Sequence, residues 1–167
     1  IPYDKKFVFN EMGFNIEPSE IGAAFGIEQL KKLKNNTKLR KENFKKHINF
    51  FSKFKNLFIL PVIDKNINTA LLAFPLLIKK NKFFTRNDMQ IFLENNKIQT
   101  RPIFSGNILL HPGFKKIKYI KSEKNFYNAN YITKNGILIG LHHGIKNSDI
   151  NYMHKTVKKF LNLKIQK

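Results

Sequence analysis

The sequence predicts an α/β fold, more closely an α/β or α+β sandwich behind a two-helix N-terminal arm. Three observations point to it. From about residue 57 onward, short apolar runs alternate with stretches whose apolar residues recur at helical spacing, the pattern of strands interleaved with helices. The residues before that carry two successive helical patterns. And 167 residues, 42% of them apolar, suffice for one domain with a packed core.

The elements follow in order. Phe7-Val8-Phe9 with Gly13-Phe14-Asn15 reads as a short strand or an ordered loop. Pro18-Ser19-Glu20 marks a helix start, with Ser19 suited to the N-cap and Glu20 to the positive end of the helix dipole. That helix is expected to reach about Lys34, with Ile21, Phe25, Ile27 and Leu30 as its apolar positions. Gly22 and Gly26 lie four apart within it, beside Ala23 and Ala24. Each glycine costs up to about 1 kcal/mol in a helix interior. Close approach of another backbone would offset that cost; simple tolerance near the helix start is the alternative.

Asn35-Asn36 breaks the pattern, and a second helix is expected from about Thr37 to Lys55, carrying Phe44, Ile48 and Phe51 at helical spacing. Leu57 to Val62 reads as a strand stopped by Pro61, and Thr69 to Ile78 as a buried strand in which Pro75 implies an edge position or a bulge. Thr85 caps a helix through about Asn95, with Asp88 placed for a capping box and Met89, Phe92 and Leu93 facing inward. Ile98 to Phe104 is a further strand, and residues 105–122 are loop-like, punctuated by Gly106, Pro112 and Gly113. A short helix over Asn125–Thr133, a strand over Gly136–Leu141 and a final helix capped by Ser148 complete the chain; Ile150, Met153, Val157, Phe160 and Leu161 face inward on the last.

Composition narrows function. There is no cysteine, which removes disulfides, thiolate nucleophiles and cysteine metal sites from the segment. No apolar run approaches the roughly 18 residues of a membrane span. The chain opens at Ile1 without Met and without a targeting pattern, so a start in mid-sequence is the simplest reading; nothing argues for secretion, and a cytoplasmic protein is expected. The formal net charge is +20, yet of 31 basic residues only Arg40, Arg86 and Arg101 are arginine, and the lysines are spread along the chain. Base-edge and bidentate phosphate recognition rely on arginine. Nucleic-acid binding therefore rests on charge alone, although the charge favours an anionic ligand by long-range attraction. A basic nucleic-acid module and a stand-alone interaction domain stay as alternatives. His47, His111, His142, His143 and His154 form no metal-ligand spacing, and adjacent strand residues His142 and His143 are expected on opposite faces. No metal site is expected.

Two motifs carry a family resemblance. The segment Gly13-Phe14-Asn15 through Ser19-Glu20, Ala23-Ala24, Gly26 and Gln29-Leu30, with Arg40 beyond it, is similar to a signature of the DegT/DnrJ/StrS family, although Glu17 and Gly22 depart from its commoner pattern. These are fold-type-I enzymes that use pyridoxal 5'-phosphate (PLP) on nucleotide-linked 4-keto sugars. Thr100-Arg101 with Phe104-Ser105-Gly106-Asn107 and His111-Pro112 resembles the corresponding segment of the branch that removes the sugar 3-hydroxyl. Gly140-Leu141-His142-His143 before a terminal helix is a third, weaker likeness.

The resemblance implies a C-terminal part: residues 1–56 as the end of the large domain with interdomain and dimer-interface helices, and residues 57–167 as the small α/β domain. The Schiff-base lysine, or the histidine that replaces it in dehydratases, would lie upstream, so no catalytic residue is assigned here. Asn15 would donate its amide to the PLP phosphate of a neighbouring subunit in a homodimer with shared active sites. A turn residue after Gly13 is the alternative for it. Arg101 would bind the carboxylate of the amino donor, glutamate, or the nucleotide sugar, because its planar fork matches a carboxylate or diphosphate bidentately; a structural ion pair is the alternative. Asn107 and His111 would line the sugar site. The implied role is sugar 3-dehydration or transamination in polysaccharide or lipopolysaccharide biosynthesis.

Overall fold

The computed structural model describes residues 13, 14, 16, 18–119 and 126–165. Among them lie α1 (Glu20–Phe51), β1 (Phe58–Ile59), β2 (Ala73–Ile78), α2 (Arg86–Asn95), β3 (Thr100–Arg101), α3 (Tyr127–Asn135), β4 (Gly136–Gly140) and α4 (Asn147–Ile165). The fold is mixed α/β, as expected. The chain divides into two compact units between Lys34 and Asn35. Among the described residues, no helix is long and apolar enough to cross a membrane.

In the first unit, α1 begins where the sequence places it. The Gly22 amide donates to the Ser19 hydroxyl at 3.5 Å and the Ala23 amide to the Ser19 carbonyl at 2.9 Å. Ile21, Phe25, Ile27 and Leu30 are exposed, Phe25 at 67%. A side chain added at Gly26 would meet nothing within 4 Å among the described residues. The aromatic stretch at residues 7–9 lies outside the described residues.

The expected two-helix arm is one helix. α1 runs through Asn35-Asn36 without a break for 32 residues. Asparagine is at most about 0.7 kcal/mol worse than alanine in a helix, and packing further along outweighs that. Asn43, His47, Phe50 and Phe51 are buried on one face of the same helix. The compact unit that starts at Asn35 therefore takes in residues the sequence pattern groups with the arm.

In that second unit, four strands form a sheet in the order β1-β2-β4-β3, every neighbouring pair antiparallel. Register explains its two faces. Phe74 opposes Ile139 and Leu76 opposes Ile137, and all four are buried; the alternate pairs Pro75–Leu138 and Leu77–Gly136 put residues 75, 77 and 138 on a half-covered face. The core on the first face gathers Phe51, Phe58, Phe74, Met89, Leu93, Val157, Phe160 and Leu161. Full burial of such a side chain stabilises by roughly 1.5–3 kcal/mol. α2 packs on α4, and α3 on β2 and β4.

Individual expectations fared differently. α2 matches its expected span and carries the full capping box of Thr85 and Asp88. β3 is far shorter than the expected 98–104 strand, since Pro102 has no amide to continue the ladder. Pro75 sits in β2 at a point where β1 has already ended opposite Leu77, so the strand is a local edge there. The last helix starts at Asn147, which places Ser148 inside its first turn; Asp149 provides the cap, accepting the Lys146 amide at 2.9 Å. His142 and His143 lie past the end of β4, and their rings face each other at 3.9 Å, not on opposite faces of a strand.

Candidate functional site

The site is built outward from β3. Thr100 pairs with Ile139 and Arg101 with Leu138. Because side chains alternate along a strand, Thr100 turns to the core and Arg101 to the half-covered face. Thr100 is buried and Arg101 exposed. Glu94, at the end of α2, fixes this register. Its carboxylate accepts the Thr100 amide at 2.6 Å and the Thr100 hydroxyl at 2.8 Å. Those two hydrogen bonds to the charged form hold the Glu94 carboxyl below the ordinary carboxylate range, the hydroxyl contributing most.

Among the described residues, the ion-pair alternative for Arg101 finds no partner. The ion pairs among the described residues are Lys31–Glu28 and Lys164–Asp88. Residues 101–119 contain no acidic side chain and add Lys115, Lys116 and Lys118, all exposed. The guanidinium is thus open to an anionic ligand on a cationic segment.

The loop after Arg101 folds on itself and on α3. His111 donates its Nε2 hydrogen to the Ser105 carbonyl at 2.9 Å, because a carbonyl can only accept. Nε2 of the ring therefore carries a hydrogen. Two short 3-10 turns, Ile108–Leu110 and Pro112–Phe114, flank it. Asn107, expected at the sugar site, is 7% exposed, and its side chain serves the scaffold. Its Oδ1 accepts the Leu109 amide at 3.1 Å, and its Nδ2 donates to Asn130 Oδ1 at 2.7 Å. Its backbone amide donates to the Thr133 hydroxyl at 2.6 Å. Gly106 adopts φ +67°, a conformation that favours glycine, and a Cβ there would lie 2.9 Å from the Thr133 Cβ.

The structure thus brings Arg101, Asn107 and His111 into one anchored segment, with Arg101 and His111 at the surface and Asn107 beneath. Asn15 lies outside the described residues. Sequence reasoning missed Glu94, Asn130 and Thr133. The contacts of the last two cross 23 and 26 residues, and no local pattern signals them.

Comparison with known proteins places this geometry. A family model, the DegT/DnrJ/EryC1/StrS aminotransferase family, matches residues 2–158. The dTDP-4-dehydro-2,6-dideoxy-D-glucose 3-dehydratase of Saccharopolyspora spinosa is 28% identical over 95% of this chain and 34% of its own length. The GDP-4-keto-6-deoxy-D-mannose 3-dehydratase of Escherichia coli O55:H7 is 31% identical over 93% of this chain and 39% of its own. A crystal structure of GDP-4-keto-6-deoxymannose-3-dehydratase with a trapped PLP-glutamate geminal diamine superposes with a TM-score of 0.76 at 33% identity, over 92% of this chain and 39% of that one. The chain spans little more than a third of the length of these relatives. With the family model covering nearly all of it, the chain belongs to the DegT/DnrJ/EryC1/StrS aminotransferase family.

Proposed function

We propose that this chain is the C-terminal part of a PLP-dependent enzyme that removes the 3-hydroxyl from a nucleotide-linked 4-keto-6-deoxy sugar, and that the protein works in the cytoplasm as a homodimer with shared active sites. The observation that carries this is the Arg101–His111 segment: an exposed arginine with no ion-pair partner among the described residues, on a cationic loop tied to the scaffold, in a chain similar along nearly its whole length to sugar 3-dehydratases.

The described residues fit an anionic ligand. Arg101 offers a planar fork for the diphosphate of the sugar nucleotide or the carboxylate of glutamate, and the exposed His111 ring lies on the same loop. Bound PLP supplies the electron sink for the chemistry. In this reading Asn15 donates its uncharged side-chain amide to the PLP phosphate of the neighbouring subunit, Arg101 orients the substrate, and Asn107 shapes the floor under the sugar. The Schiff-base lysine or its histidine replacement belongs to the remaining two thirds of the family length.

The experiment is product analysis. The full-length protein, with PLP, glutamate and GDP-4-keto-6-deoxy-D-mannose, is expected to release a 3-deoxy sugar. A 4-amino sugar as the sole product would assign it to the transaminating side of the family. Sedimentation is expected to show a dimer; an active monomer would refute the shared site.

A further inference from the structure

The family likeness says nothing of how the candidate loop is held in place. We infer that Thr133 is a positioning residue for substrate binding, its hydroxyl locking the Gly106–Asn107 turn and so fixing where Arg101 and His111 present their side chains. The inference rests on the reading that this loop binds the nucleotide sugar.

The Thr133 hydroxyl both donates and accepts. It donates to the Ala129 carbonyl one helical turn back at 2.7 Å, which fixes its hydrogen and aims a lone pair at the loop. The buried Asn107 amide donates into that lone pair at 2.6 Å. Gly106 lies flush against the same residue: a Cβ there would stand 2.9 Å from the Thr133 Cβ and 3.0 Å from its Cα. Asn130, three residues earlier and so on the same side of α3, accepts from the Asn107 side chain at 2.7 Å.

α3 is itself anchored. The Tyr131 hydroxyl donates to the Ile78 carbonyl at the end of β2 at 3.1 Å. Where α3 passes into β4, a Cβ at Gly136 would meet Ile103 Cδ1 at 2.8 Å, so the residue two beyond Arg101 is pressed on that junction. The sheet thus holds α3, α3 holds the Gly106–Asn107 turn, and the turn lies inside the loop that the His111–Ser105 hydrogen bond closes, five residues on from Arg101. Without the Thr133 hydroxyl, a buried amide loses the acceptor it has among the described residues, and the turn its reference point.

The test uses full-length holoenzyme with GDP-4-keto-6-deoxy-D-mannose and compares wild type, Thr133→Val, Thr133→Ser and Arg101→Ala, with hydrogen exchange followed over residues 104–111 and over β2 and β4. Thr133→Val is expected to raise KM about tenfold, the size expected for one orphaned buried amide, and to leave kcat within about twofold. Exchange should rise in 104–111 and stay unchanged in the strands. Thr133→Ser keeps the hydroxyl and should restore KM. If Thr133→Val fails to fold, Asn130→Ala cuts the companion tie on an exposed residue and should raise KM about threefold with the same exchange pattern. Faster exchange in the loop with an unchanged KM, in a protein where Arg101→Ala does raise KM, overturns the inference and leaves the proposed function standing. An unchanged KM in Arg101→Ala removes the loop from the substrate site and takes both down. A serine variant that behaves like valine also overturns the inference.

Discussion

His47 and His154 share a hydrogen bond, Nδ1 to Nε2 at 3.1 Å, in which the roles of both rings are determined. His47 Nε2 faces the Gly140 carbonyl at 3.2 Å and must carry a hydrogen. Its Nδ1 is then the acceptor, and His154 Nε2–H the donor. The pair ties α1 to α4 and to the end of β4, between the rings of Phe74 and Phe50; the His154 ring stacks on Phe50 at 3.9 Å.

Stability should therefore fall as the pH drops through the histidine range. Burial holds both rings down to about 4, aided for His47 by Lys46, and for His154 by His47, Lys158 and Lys53. The ordinary value near 6.5 applies to the unfolded chain. Above that value neither state binds the proton and the stabilisation is complete. Between about 6.5 and 4 the unfolded state takes up protons that the folded pair refuses, so stability is lost. For His47 the loss is at most about 3 kcal/mol; half-exposed His154 adds less. A proton on His47 Nδ1 would also point a donor at a donor. Denaturant midpoints should be flat from about pH 7 to 8.5 and decline below about 6.5. The ring signals of His47 and His154 should fail to titrate above about pH 5. A normal titration of these two would refute the arrangement.

Thr85→Ala should lower stability by about 1 kcal/mol, the usual loss for a helix cap. The Asp88 amide donates to the Thr85 hydroxyl at 3.3 Å, and the Asp88 carboxylate accepts the Thr85 amide at 2.7 Å. The substitution removes the hydroxyl half of the box and the hydroxyl's own hydrogen bond to the Asp88 carboxylate, while the backbone amide of residue 85 keeps its half. Thr85→Ser keeps the hydroxyl and should stay close to wild type. The comparison is made by urea denaturation, and equal midpoints for the alanine and serine variants would count against the cap.

That capping box could be read from the sequence, as could the five inward positions of α4, because both patterns close within a turn or two of chain. The Asn35-Asn36 break was misread for the opposite reason. Local preference there is weak, and the face buried from Asn43 to Phe51 decides the matter. Strand ends were also illegible, since a two-residue strand such as β3 is defined by its partner Ile139–Leu138 and not by its own residues. The site divides in the same way. Arg101 stands out as a rare arginine before a proline, whereas Thr133 is silent until folding brings it to Asn107 across 26 residues, and His154 meets His47 across 107.

Leu93→Ala should cost about 2–5 kcal/mol. Leu93 is fully buried in the cluster with Met89 and Phe160, where α2 packs on α4. Its backbone carbonyl also accepts the Ile98 amide at 2.9 Å, part of the turn that feeds β3. That bond survives the substitution, so the loss is one of packing. Thermal unfolding measures it, and a change under about 1 kcal/mol would mean the core closes over the gap. Leu93→Met, with nearly the same volume, should stay within about 1.5 kcal/mol of wild type.

Arg101 separates function from folding most cleanly. Its side chain is exposed and has no ion-pair partner among the described residues, so removing it should change stability by no more than about 0.5 kcal/mol. Its neighbour Thr100, buried and held twice by Glu94, keeps the strand in register whatever stands at 101. If the guanidinium receives a diphosphate or carboxylate as a bidentate fork, Arg101→Lys preserves the charge and loses the geometry. Losing one charge-assisted hydrogen bond of roughly 1.5–3 kcal/mol corresponds to a fall of about tenfold to a hundredfold in kcat/KM. Arg101→Ala should fall further, and rising salt should narrow the gap between lysine and alanine, because the charge that lysine retains is screened. Steady-state kinetics on the full-length enzyme, set beside denaturation of the same variants, is the measurement. A lysine variant with wild-type kcat/KM would show that Arg101 supplies charge alone; an alanine variant that loses stability as much as activity would make it a structural residue.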